Sequence, residues 1–270
     1  MLHRVGCVPY LNALPLVRRA PSNLDVTFDV PSRLPQRLES GDVQAILVSS
    51  IEAFRRPDTR VVDGVGISCQ GPVYSVRMFS RVPWPDVKTL ALDSASMTSN
   101  ALAQIILAER FGVRPETQAM APCLETMLDE CDAALLIGDN GMRAPGLPAP
   151  FGEPTPLTVL DLGEAWWDLT GLPFVWALWM GGPSLTDELA DVLRCSAQDG
   201  QNHAEELIEE GVERFGFSRA LTSAYLGQIM DYTITQNHHL GLQRFGALVR
   251  HHLHPDFNAT PHWVGRTATV

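Results

Sequence analysis

Long apolar runs, basic runs and paired cysteine motifs are all missing from this 270-residue chain. No stretch approaches the apolar length that a membrane span requires, so no membrane partner is expected. Positive charge is scarce: 20 Lys and Arg stand against 31 Asp and Glu, a formal net charge of −11. Without a basic patch, nucleic acid is excluded as a partner. Arg4 is followed by too short an apolar run before Pro9, with no small-residue cleavage site, so no signal peptide is expected. Cysteine is limited to Cys7, Cys69, Cys123, Cys131 and Cys195. The number is odd and no Cys-x-x-Cys occurs, which predicts reduced, mostly buried thiols in a cytoplasmic protein. There is no low-complexity tract and no repeat of the solenoid kind.

What is present is a 45% hydrophobic composition, enough for one large domain or two smaller ones. The scattered acidic residues fit a soluble surface. They also repel an anionic substrate at long range, so such a substrate needs local positive potential from helix N-termini or a few arginines.

The first third alternates strand and helix. Strands are expected at His3–Val8, Asp25–Val30, Val43–Val48, Val61–Ser68 and Val73–Ser80, with helices at Asn12–Arg19, after Ser32 to Leu38, and at Ile51–Arg55 behind Ser49 and Ser50. A proline-punctuated crossing, Arg81–Asp86, follows. The pattern then restarts with strand Lys88–Leu92, helix Ser96–Phe111 and strand Cys131–Ile137. Met142–Pro156 reads as a loop and Phe174–Met180 as a strongly apolar strand. From Ser184 the chain turns helical: Leu185–Phe215, with a break at Gly200, then Ser218–Met230 and Gln236–His252. Strands alternating with helices predict an α/β protein with mostly parallel sheets.

Short polar clusters recur where strands end and helices begin. Tyr10-Leu11-Asn12 lies between Pro9 and Pro15, which punctuate the strand exit and the first helical turn. Ser49-Ser50, Asp93 to Asn100 and Gly138-Asp139-Asn140 are the others, and Ser75 stands in a β-rich run. Ligands of open α/β sheets bind at the carboxyl ends of the strands. Helix N-termini there present unpaired N–H groups, to which small hydroxyls add donors. A single such cluster reads most simply as a helix cap. The Ser96, Thr98 and Ser99 cluster has more hydroxyls than one cap needs, which points to a ligand.

An N-terminal signature and five further blocks, in order, carry a family resemblance. Gly6 to Leu16 resembles the N-terminal signature of the menaquinone-biosynthesis chorismate dehydratases of the futalosine pathway. Ser50-Ile51-Glu52 is similar to their Pro-Ser-Ile-Glu stretch, with Ser49 in place of the proline. Gly71–Val76 with Met78–Arg81, Leu92–Ser99, Leu135–Asp139, and Asp161–Gly163 through Trp166 to Thr170–Val175 resemble further blocks. The C-terminal helices match only in character. The resemblance implies a bilobal periplasmic-binding-protein-like type II fold. Its lobes are expected at residues 1–81 with 181–270 and at 82–180, with the ligand cleft between them.

The reaction the resemblance implies is loss of water from chorismate to give 3-[(1-carboxyvinyl)oxy]benzoate, without cofactor or metal. Asn12 and Ser75 are the catalytic candidates. Tyr10, Ser50, Ser96, Thr98, Ser99, Gly138 and Asp139 are the substrate-binding ones. No His or Cys occurs among the hydroxyl and amide positions, and Asp139 is poorly suited to a dianionic substrate. The expectation is therefore that the substrate's own enolpyruvyl carboxylate removes the ring proton. Two other readings stand beside this one: a non-catalytic small-carboxylate binding protein or sensor, and the sister 1,4-dihydroxy-6-naphthoate synthase, whose start carries a Pro-Asn-Asp signature where this chain has Tyr10-Leu11-Asn12. The histidines His238, His239, His251, His252 and His254 read as helical surface residues, and the sequence sets no oligomeric state.

Overall fold

The computed structural model describes residues 2–29, 31 and 33–265. Among them the strands are β1 (His3–Cys7), β2 (Leu24–Phe28), β3 (Ala45–Ser49), β4 (Arg60–Cys69), β5 (Arg77–Ser80), β6 (Thr89–Asp93), β7 (Glu116–Met120), β8 (Ala133–Leu136), β9 (Thr158–Asp161), β10 (Phe174–Gly181), β11 (Met230–Asp231) and β12 (His262–Val264). The chain divides into two compact units. One holds the residues up to Ser68 and from Val175 onward, and the other holds Cys69–Phe174.

The sheet of the first unit runs β11-β4-β10-β3-β1-β2, with β12 also on β4. The sheet of the second runs β7-β6-β8-β5-β9. Both have one plan. In the first unit β2 pairs with β1, β1 with β3 and β3 with β10; in the second β7 pairs with β6, β6 with β8 and β8 with β5. The last strand of each series is antiparallel to its neighbour, β10 against β3 and β5 against β8. The parallel pairs β1/β3 and β6/β8 therefore end at one edge of their own sheets.

This plan corrects the expected boundaries. The proline-rich Arg81–Asp86 stretch is a single 3-10 turn, Trp84–Asp86, inside the second unit, because β5 before it already pairs with β8 and β9. At the other end β10 pairs with β3 along Ala177–Gly181, so it belongs to the first sheet. Proline marks a local break in pairing, whereas the division between units depends on which strand a segment pairs with, and that is non-local.

Most of the core follows from the apolar runs. All four residues of β8 are buried, as are seven of the eight of β10, as expected for strands covered on both faces. In the second unit Phe79, Ala91, Ala134 and Leu136 pack with Met127, Leu128 and Cys131. The Trp166 and Phe174 rings meet edge to face, centroids 5.2 Å apart. Trp176 is buried too, in keeping with core packing. Exposed β7, the helix Leu124–Glu130, strand β9 and the helix Leu162–Thr170 are short elements outside the expected ones.

Four local readings change. The long helix does not break at Gly200: it runs Asp187–Asn202 and restarts at Ala204, with His203 at the break. A Cβ on Gly200 would lie 2.0 Å from the Pro15 carbonyl oxygen, so glycine there permits close packing. Val73–Ser80 is a strand only from Arg77. His238 and His239 are not surface residues. His238 is 5% exposed, and His239 stacks on Trp263 and lies 2.8 Å from Asp63 Oδ1. The helix Leu34–Glu39 starts two residues beyond Ser32, which, like Val30, lies outside the described residues.

Candidate active site

In the first unit the chain leaves β1 through Val8 and Pro9, and Tyr10 takes an extended conformation, φ −91° and ψ 155°, at the start of a 3-10 turn, Leu11–Ala13. Pro15 opens the helix Leu14–Val17 directly behind it. The prolines thus act as expected, and Asn12 sits half-buried on the turn. Its side-chain amide is not tied to any other group among the described residues. Ser50 follows the neighbouring strand β3 and opens another 3-10 turn, Ser50–Phe54. Neither Ser49 nor Ser50 caps it with a side chain. Ser50 is wholly buried and its hydroxyl donates to the Val175 carbonyl, 2.7 Å away. Its proton is therefore committed within the protein.

In the second unit the remaining candidates gather at one edge of the sheet. Ser96 to Ser99 follow β6, and Gly138 and Asp139 follow β8, its parallel partner. Ser75 precedes β5, whose first residue Arg77 pairs with Leu136 at the end of β8. Ser96 Oγ accepts the Ser99 N–H at 3.3 Å, just ahead of the helix Thr98–Phe111, whose N-cap position is Met97. Thr98 and Ser99 are buried on its first turn. Gly138 takes φ +56°, a value that favours glycine, and Asp139 lies half-buried on the first turn of the helix Gly138–Arg143. Asp93 is 1% exposed and accepts the Ala95 and Ile137 N–H groups, tying the two strand ends together. Burial pushes its carboxyl above the usual range.

Tyr74 and Asp161, outside the candidate site residues, shape the Ser75 segment. Tyr74 has φ +63°, the one positive value at a non-glycine residue among the described residues. Across it the Ser75 N–H donates to the Val73 carbonyl at 2.7 Å, a three-residue turn of the strained hand. Asp161, at the end of β9, accepts four backbone N–H groups. Gly163 and Glu164 at 2.9 and 3.1 Å make it the cap of the helix Leu162–Thr170. Val73 at 3.0 Å and Tyr74 at 2.7 Å come from the turn. A bulky residue in the left-handed region costs about 1–3 kcal/mol. A hydrogen bond to an ionised group contributes about 1.5–3 kcal/mol, so the two turn donors outweigh the strain. Desolvation pushes the Asp161 carboxyl up, opposed by these four donors.

Arg77, opposite Asp161 in the ladder, is fully buried. Its guanidinium donates to the carbonyls of Gly141, Ala144 (2.7 Å) and Pro145 (3.1 Å) at the end of the helix Gly138–Arg143. Burial lowers its pKa to about 10, against the pull of Asp161. This arginine is committed to carbonyls, while the Arg4 guanidinium donates to the Gly41 carbonyl, and Arg81 pairs with Asp129 at the surface. Backbone N–H groups at the helix starts contribute positive potential at the second-unit edge. The Asp-x-x-Glu spacing of Asp161 and Glu164 was a legible cap signal, and nothing local marks Tyr74.

A sequence model of the menaquinone biosynthesis family matches residues 3–251. The chain belongs to that family. A relative from Thermus thermophilus named chorismate dehydratase is 31% identical over 258 residues, covering 89% of this chain and 93% of the relative. Among solved structures, an Archaeoglobus fulgidus protein superposes with a TM-score of 0.70 at 17% identity, covering 92% of this chain and 96% of its own. The periplasmic aliphatic sulphonate binding protein of Escherichia coli superposes with a TM-score of 0.63 at 13% identity, covering 100% and 95%. At such identities the structures speak for the fold alone. It is the periplasmic-binding-protein-like fold of type II, and the strand plan repeated in both units of this family member agrees with it. Among the described residues no helix is long and apolar enough to cross a membrane.

Proposed function

We infer that the protein is a chorismate dehydratase: it removes water from chorismate to give 3-[(1-carboxyvinyl)oxy]benzoate, the first step of the futalosine route to menaquinone. The observation that carries this reading is the 31% identity with the Thermus thermophilus dehydratase across nearly the whole of both chains.

The chemistry needs one ring proton and the ring hydroxyl to depart, with the ring becoming aromatic. Asn12 and Ser75 are the catalytic groups in this reading. The Asn12 amide orients the enolpyruvyl carboxylate or the departing hydroxyl, and Ser75 hydrogen-bonds a carboxylate or the leaving group. Tyr10, Thr98, Ser99, Gly138 and Asp139 line the substrate, while Ser50 and Ser96 contribute through the turns they build. The nearby carboxylates Asp93 and Asp161 are occupied by backbone donors, which supports the substrate's own enolpyruvyl carboxylate as the base. Groups held in a reactive pose reach effective molarities of about 10⁵–10⁸ M, enough for a weak carboxylate base to act. The reaction takes place in the cytoplasm, where the five free thiols stay reduced.

Incubation of the purified protein with chorismate tests this. The expected result is an aromatic product lighter than chorismate by one water, and a fall in kcat of roughly 10²–10³-fold in Asn12→Ala and Ser75→Ala, the scale of losing one positioned donor. Binding without turnover would point to a sensor. Turnover unchanged in both variants would remove Asn12 and Ser75 from the chemistry, and loss in Asp139→Asn with binding intact would restore a protein base.

A further inference from the structure

We propose that Asp161 is a positioning residue for catalysis, holding the Val73–Ser75 turn in the left-handed shape that aims the Ser75 hydroxyl. The inference rests on the role given to Ser75 above. Two consecutive N–H groups, of Val73 and Tyr74, converge on one carboxylate at 3.0 and 2.7 Å, which makes the turn an anion-binding nest with its anion built in. Tyrosine does not hold φ +63° unaided, so this conformation persists through the carboxylate. The same carboxylate caps the helix Leu162–Thr170, so the turn is referenced to a rigid element and not to solvent. Gly163 allows this approach: a Cβ there would lie 2.4 Å from the Gly71 carbonyl oxygen.

The two carboxylate oxygens divide the work. Oδ1 takes Gly163, Glu164 and Val73, whereas Oδ2 takes Tyr74 and shares Val73. In Asp161→Asn the remaining oxygen can keep the helix cap. The new amide NH₂ then faces the Tyr74 N–H, donor against donor, at the one strained residue. The substitution therefore strikes the turn and spares the cap. Asp161→Ser keeps a cap-forming hydroxyl and is too short to serve the turn as well.

The test is steady-state turnover of chorismate by the full-length variants, with folding followed by near-ultraviolet circular dichroism. In Asp161→Asn and Asp161→Ser kcat is expected to fall about 10–100-fold, the scale of a displacement of about 1 Å. Two readouts separate positioning from a general structural effect. Asp161→Asn added to Ser75→Ala should cost nothing further, because both act through one hydroxyl. Tyr74→Gly should restore part of the activity to Asp161→Asn, because glycine adopts the left-handed turn without the anion. A folded Asp161 variant with wild-type kcat overturns the inference. So do full additivity with Ser75→Ala and failure of both Asp161 variants to fold, since the carboxylate would then be serving the fold at large. Unchanged turnover in Ser75→Ala alone would instead overturn the role of Ser75 itself.

Discussion

Adding one methyl group at Gly141 should damage both the stability of the second unit and its chemistry. A Cβ at this position would stand 2.1 Å from the Ser75 carbonyl oxygen, 2.7 Å from its carbon and 3.2 Å from the Leu136 carbonyl oxygen. All three are backbone atoms, so no side chain can swing aside. The helix Gly138–Arg143 and the Ser75 peptide must separate by about 1 Å to reach ordinary contact. The helix cannot withdraw freely, because Arg77 holds its end through the Gly141, Ala144 and Pro145 carbonyls. The Ser75 peptide cannot withdraw freely either, because its turn is fixed by Asp161. Overpacking of this kind costs about 1–3 kcal/mol. Contact with rigid backbone on both sides places Gly141→Ala near the upper end. At about 2–4 °C per kcal/mol for domains of this size, the melting temperature should fall by about 6–12 °C. Turnover should fall further than stability, by about 10²-fold, since Ser75 sits at the displaced peptide. Thermal unfolding and chorismate turnover measured on the same preparation check both numbers. Gly182→Ala serves as the control, because a Cβ there meets nothing within 4 Å. A Gly141→Ala protein with the melting temperature and kcat of the wild type would refute the packing argument.

Two further outcomes follow from buried ionisable groups. Burial pushes the Cys7 thiol up to about 12, whereas Cys123 is exposed and the Thr126 hydroxyl at 3.3 Å draws its thiol down. Iodoacetamide should therefore modify Cys123 in the native protein near neutral pH and leave Cys7 untouched until unfolding; mass-mapped labelling of Cys7 at the rate of Cys123 would contradict this. His238 is buried, its pKa lowered by desolvation, and its Nδ1 accepts from Thr235 as part of a capping box at the start of the helix Gln236–His252. The unfolded chain binds this proton more readily than the folded one. The contribution of His238 is thus fully present above about pH 6.5 and declines as pH falls from there toward the lower folded pKa. Melting temperatures from pH 8 down to about pH 5 should fall less steeply in His238→Gln than in the wild type, and equal slopes would remove His238 from the acid response.

The chain reveals much of its own fold, for identifiable reasons. Strands β1, β3, β6, β8 and β10 are apolar runs bounded by polar residues, and each was legible because burial on both faces demands such a run. Pro15 marked a helix start, and Gln236–His252 emerged with its limits intact because its apolar spacing is regular. The polar clusters at the strand ends could be located because an α/β sheet binds at that edge. The unread parts have a common physical cause. Strand β7 is exposed and has no apolar alternation, so only its pairing with β6 makes it a strand. The limits of the two units follow from the partners of β5 and β10, and partners are non-local. Arg77 reads as a free cation until the helix end it serves is in view. Ser50 reads as a donor to a ligand until Val175 takes its proton. Local sequence thus determined which segments could be strands, helices and binding edges, because propensity and burial pattern act within a few residues. Only the tertiary structure decided that Asp161 meets Tyr74 and that Gly141 meets Ser75, because each contact joins segments distant in sequence whose approach depends on strand pairing.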